Sequence, residues 1–127
     1  MNLEKVIFGF FIVLAATLNF GFFIGDIDNP THHHIYELFA AIVVNLIATV
    51  LKFGDRTQIG AVHLSTSLVA DLQLVAAACV WAIAVHVTGE GMSADVTTSV
   101  VSLSGGALLA NFVSLVLLIA ETVMLRR

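Results

Sequence analysis

IYELFAAIVVNLIATVLKFGDR, residues 35–56, decides the fold. Ile35 to Phe53 is predominantly apolar and close to the roughly 20 residues that a helix needs to cross a hydrocarbon core about 30 Å thick. The run then breaks. Gly54 suits the residue just past a helix end, and Asp55 can bond its own backbone in a turn. Lys52 and Arg56 are left at the membrane edge. The stretch reads as one membrane-spanning helix running into a tight connection.

Working outward, three more segments have the same character. They run from about Val6 to Ile24, from about residue 65 to 87 with an apolar core from Leu68 to Val87, and from about Ser99 to Leu125. HLSTSLVA, residues 63–70, is helical by pattern but only half apolar. It extends the third helix beyond the apolar core to about 25 residues. The connections are short: GDIDNPT from Gly25, GDRTQIGAVH from Gly54 and TGEGMSAD from Thr88. Asn29-Pro30 has the form of a helix start, a capping side chain followed by Pro at the first helical position. The expectation is a single all-α domain over residues 1–127, four transmembrane helices in an up-down bundle.

Composition agrees. Of the 127 residues, 59% are hydrophobic and 11% charged, and the mean hydropathy is +1.03. A soluble domain carries about a quarter charged residues. One Cys excludes an internal disulfide framework, and five Lys plus Arg at a net charge of −4 exclude a basic nucleic-acid surface. The first segment is long for a cleaved signal peptide and no small-residue cleavage site closes it, so it counts as a span.

The charges then orient the chain. Four spans put Lys5, Lys52, Arg56, Arg126 and Arg127 on one side. The other side carries Asp26, Asp28, Glu37, Glu90 and Asp95 with no Lys or Arg. The excess of Lys and Arg marks the cytoplasmic side. Both termini are therefore expected in the cytoplasm, in a cell inner membrane.

Polar residues inside spans are costly in lipid and need a reason. In the first span, Thr17 and Asn19 suit helix–helix hydrogen bonds. Six of the nine Phe also fall there, which suits a lipid-facing or packing surface. In the second, His34, Glu37, Ala41, Asn45, Ala48 and Lys52 fall within about 80° of one another on a helical projection. Such a stripe either packs into its own bundle or lines an ion path. In the third, Asp71 has Ser67 and Gln73 nearby, and an isolated carboxylate there must be paired, hydrated or protonated. Lys52 and Arg56 are its expected partners, in a structural ion pair or beside a cation site. Glu121, in the fourth span, is expected at the depth of Asp71.

Ser102, Gly106, Ala110 and Ser114 recur every four residues, a small-residue ridge that admits another helix closely. The partner is a helix of the same bundle or of a second copy, and this ridge is the expected subunit contact. Gly105-Gly106 could alternatively mark a break in the helix.

His32, His33 and His34 cluster with the acidic residues of the far side. His33 and Glu37, four apart, have metal-ligand spacing with Asp26 and Asp28 close by; the plainer reading is a polar helix start facing water. Either way the far mouth is acidic and attracts cations. No cofactor is implied beyond a bound cation. No nucleophile with a base at matching depth, no phosphate loop and no Cys cluster is present, so an enzyme is not expected.

The leading expectation is a small homo-oligomeric cation channel or transporter in the lipid bilayer, with an acidic mouth at Asp26 and Asp28. Its ion pathway or site would comprise Glu37, Asn45, Ser67, Asp71, Gln73 and Glu121. The alternative is a non-conducting accessory subunit that binds another membrane protein through its helices and the 54–63 connection.

Overall fold

A computed structural model describes residues 3–24, 34–53, 57–89 and 91–125. Four helices account for nearly all of them: α1 (Leu3–Phe23), α2 (Ile35–Lys52), α3 (Gln58–Ala82) and α4 (Ala94–Leu125). α3 continues through a π-helical turn, Ile83–Val87. All four are long and apolar enough to cross a membrane, and the chain is a polytopic four-helix membrane protein. The Asn29-Pro30 helix start, the metal candidate His33, the acidic residues Asp26 and Asp28, and Arg56 lie outside the described residues.

Each helix packs on its neighbours in sequence, and α1 closes the ring against α4. Lys5 near the start of α1 pairs with Glu121 near the end of α4, so the start of α1 and the end of α4 lie at one end of the bundle. We call it the terminal end. The opposite end holds an aromatic group: Trp81 meets Phe39 edge-on at 5.5 Å and His86 at 5.4 Å. Trp at that level suits a membrane–water boundary.

Two helices begin earlier than the hydropathy pattern suggests, and both are started by hydroxyl caps. Thr57 accepts from Gly60 N–H at 3.0 Å, so α3 begins at Gln58 inside the stretch expected to be a connection. Ser93 accepts from Val96 N–H at 3.2 Å and starts α4 at Ala94. Gly89 and Gly91, at φ near +70°, make the turn between α3 and α4. At about 1.5 Å per residue, α4 is about 48 Å long and must tilt or project beyond the hydrocarbon.

The core is split along the bundle axis. Toward the far end it is apolar: Phe22, Leu38, Ala41, Leu74, Ala77, Val100 and Val101 are each at most 1% exposed. Toward the terminal end the apolar packing shrinks to Phe8, Ile12 and Ala48. Polar side chains fill the rest.

Candidate functional site

The interior polar groups come mainly from three helices. α2 buries Asn45, Thr49 and Lys52 beside Ala41 and Ala48, so the stripe expected from the sequence faces the bundle interior. Its outer members differ: His34 is exposed and Glu37 half-buried. α3 buries His63, Ser67 and Asp71, three positions four residues apart that share one face. α4 contributes Asn111, Ser114 and Glu121.

Asp71 is 7% exposed and meets α2 at Thr49, whose hydroxyl donates to Asp71 Oδ2 at 2.5 Å. The same hydroxyl lies 2.9 Å from the Asn45 carbonyl one turn back. The partner of Asp71 is thus Thr49, in place of the Lys52 and Arg56 expected from the sequence. Lys52 is buried with its Nζ 4.3 Å from the centre of the Phe8 ring, a cation–π contact. Asp71 Oδ1, Asn45 Oδ1 and Ser67 Oγ are buried without a hydrogen-bond partner among the described residues. Asn45 does donate, from Nδ2 to the Ala41 carbonyl at 3.2 Å.

Glu121 is not at the depth of Asp71. It pairs with Lys5, and its Oε1 lies 3.9 Å from His63 Nε2. His63 precedes Asp71 by eight residues, or about 12 Å of helix, so Glu121 belongs about two turns nearer the terminal end. The reason is geometric: α4 overshoots the bilayer thickness, so distance from its end misjudges depth. His63 itself is fully buried, its ring edge-on to Phe8 at 5.0 Å. Lys5, Lys52, His63 and Glu121 thus form one ionisable cluster around Phe8.

The α4 ridge is occupied within the chain. Ser114 shares a hydrogen bond with Thr66 of α3 at 2.5 Å, and the Gln73 amide lies where a Gly106 side chain would be, 2.7 Å from an added Cβ. Ala110 packs on the core, while Ser102 is exposed. The ridge therefore joins α4 to α3, and a subunit contact does not run along most of it. α4 is unbroken at Gly105-Gly106, and the two glycines make room for Phe23 and Gln73. Asn19 braces the same level of α4: with its amide nitrogen toward Ser104 it donates to that carbonyl at 2.9 Å and accepts from Leu108 N–H at 3.0 Å. Thr17 instead faces outward and bonds the Leu14 carbonyl.

Glu37 stands apart from the Asp71 group, near the far end. Its carboxylate lies against Gly21 of α1, where any Cβ would collide with it. It lies four positions before Ala41 on α2, and the apolar layer intervenes before Asn45. Of the expected pathway residues, the structure gathers Asn45, Ser67 and Asp71. It sets Gln73 beside Gly106 and leaves Glu37 and Glu121 at opposite ends. Among the described residues no group of three or more His, Cys, Asp or Glu could hold a metal ion.

Fold and site together define a multi-pass membrane protein whose four-helix interior holds ionisable groups. Residues 32–122 match the model of a family of unknown function, DUF6394, and the chain belongs to that family. No curated protein and no solved structure matches it.

Proposed function

We propose that this protein moves a small cation through its own bundle, with Asp71 as the central binding group. The observation that carries the reading is the buried carboxylate oxygen Asp71 Oδ1, without a hydrogen-bond partner among the described residues. Leaving such an atom unsatisfied in a membrane interior costs several kcal/mol or so, and intramembrane carboxylates recur on ion and proton pathways. Asn45 and Ser67 continue the polar row on either side. The apolar layer of Leu38, Ala41, Leu74 and Ala77 closes the far side, which favours a carrier over an open pore.

The pathway so proposed needs only one copy. A homo-oligomer would form through lipid-facing surface such as the shallow groove of Val6, Gly9, Phe10, Val13, Leu14 and Thr17 on α1. The terminal end, with Lys5 and Lys52, is proposed to be cytoplasmic in an inner membrane. Labelling of a single Cys placed next to Arg56, in a Cys79→Ser background, from outside the cell would overturn that orientation.

Flux into liposomes tests the function. The wild type should carry at least one monovalent or divalent cation above protein-free liposomes, and Asp71→Asn and Asn45→Leu should reduce it. Absence of flux for every cation would sink the reading. It would favour the accessory subunit, in which contacts such as Thr66–Ser114 and Asn19 with the α4 backbone serve only to join helices.

A further inference from the structure

Thr49 has one hydroxyl proton and two acceptors. Its Oγ1 is 2.5 Å from Asp71 Oδ2 and 2.9 Å from the Asn45 carbonyl oxygen. The carbonyl can only accept. If the Thr49 proton points to Asp71, Oδ2 accepts it, whether the carboxyl is ionised or carries its own proton on Oδ1. If the proton points to Asn45, the short contact with Asp71 needs a proton from the other partner, so Asp71 is the neutral acid and donates to Thr49. Both arrangements use the same heavy-atom positions. We propose that Asp71 carries a proton, and that the proton is the cation this site takes. The inference rests on the cation reading above and narrows it.

The surroundings suit a proton better than a metal ion. Asp71 is faced from α2 by Asn45, Thr49 and, one turn on, Lys52, and its own helix adds Ser67. α4 brings the buried Asn111 and Ser114, and the buried core of α1 here is Phe8 and Ile12. A hard metal cation takes about six or more oxygen ligands, and here there is one carboxylate.

The way in runs from the terminal end. His63, Ser67 and Asp71 follow one another on one face of α3, with about 6 Å between successive Cβ atoms. A gap of that size is one that a single bridging water can span. His63 Nε2 is 3.9 Å from Glu121 Oε1, and Glu121 is held by Lys5, whose side chain is 28% exposed. In the transfer an imidazolium N–H bond breaks and an O–H forms on Ser67. Ser67 releases its own hydroxyl proton, and an O–H forms at Asp71 Oδ1. The imidazole becomes neutral as the carboxylate does, and a hydronium ion at the Lys5 end returns a proton to it through Glu121, leaving water. Among the described residues, Lys52 and Lys5 are further charged groups at this end of the row. In this conformation the apolar layer stops exchange with the far end.

The test uses the full chain in liposomes loaded with a pH-sensitive dye, under a valinomycin-clamped potassium potential, with sodium and potassium fluxes measured in parallel. Proton flux should fall at least tenfold in Asp71→Asn and severalfold in Ser67→Ala, and His63→Gln should shift its pH dependence. Infrared spectra of the purified protein give a second readout that does not need transport. A carboxylic-acid carbonyl band should be present, disappear as the pH rises, and be missing in Asp71→Asn. Sodium or potassium flux without proton flux would overturn the inference and leave the cation reading intact. A titrating band without any flux would uphold proton binding at Asp71 and overturn cation movement. No flux and no titrating band would overturn both.

Discussion

The contact between Thr49 and Asp71 supports a quantitative prediction. Thr49→Val keeps the shape of the side chain and removes only the hydroxyl. Asp71 Oδ1 has no hydrogen-bond partner among the described residues, so the substitution leaves both carboxyl oxygens without one. In a soluble core, a hydrogen bond to a charged group contributes about 1.5–3 kcal/mol. In a membrane protein the unfolded chain also finds partners, and interhelical hydrogen bonds average about 0.6 kcal/mol with a maximum near 1.7. Thr49 and Asp71 are 4% and 7% exposed, and their contact is short, which places this bond toward the upper end, at about 1–1.5 kcal/mol. A double-mutant cycle isolates it: Thr49→Val, Asp71→Leu and the double variant, each unfolded reversibly in mixed micelles and followed by circular dichroism. The two substitutions should couple by that amount. Asp71→Leu alone should cost little or even stabilise, because it removes a buried group with an unsatisfied oxygen. Coupling below about 0.3 kcal/mol would refute the claim that this bond joins α2 to α3.

Two further outcomes are open to the same assay. Gly105→Ala should destabilise by about 1–3 kcal/mol, because the new methyl would lie 2.7 Å from the Phe23 ring; Gly106→Ala should cost less than half as much, because it meets only the mobile amide of Gln73. Equal effects would mean that the ring moves as easily as the amide. Exchanging the charges of Lys5 and Glu121 together should recover most of the roughly 1 kcal/mol lost by Lys5→Met alone, since the pair is only partly exposed; failure to recover would assign the loss to the interaction of Glu121 with His63.

The fold was legible because lipid imposes a coarse requirement: helix number, connection lengths and the inward stripe on α2 all follow from polarity and length. Helix starts were less legible. Thr57 and Ser93 each act through one hydrogen bond, which hydropathy does not register. Within the site, the sequence singled out Asp71, Asn45 and Ser67 because such residues are rare in spans. Thr49 was passed over because a lone Thr can satisfy itself by bonding its own helix, as it does at Asn45. Its second contact is a property of the α2–α3 register. The glycines of α4 read ambiguously for a related reason. A glycine that breaks a helix and one that admits a neighbouring side chain are the same letter, and only Phe23 and Gln73 distinguish them.

The pair at the terminal end also says something about assembly in time. Lys5 and Glu121 are 116 positions apart. At about 5–20 residues per second, synthesis separates their appearance by roughly 6 to 23 seconds. Throughout that interval α1 can pair with α2, but its ammonium has no Glu121 to meet, and His63 waits for the same carboxylate. Lys5 and Lys52 are therefore both made before either acid of α4, Asp95 or Glu121. Only α4 closes the polar interior against lipid, so its arrival is also the moment at which the buried charges acquire their setting.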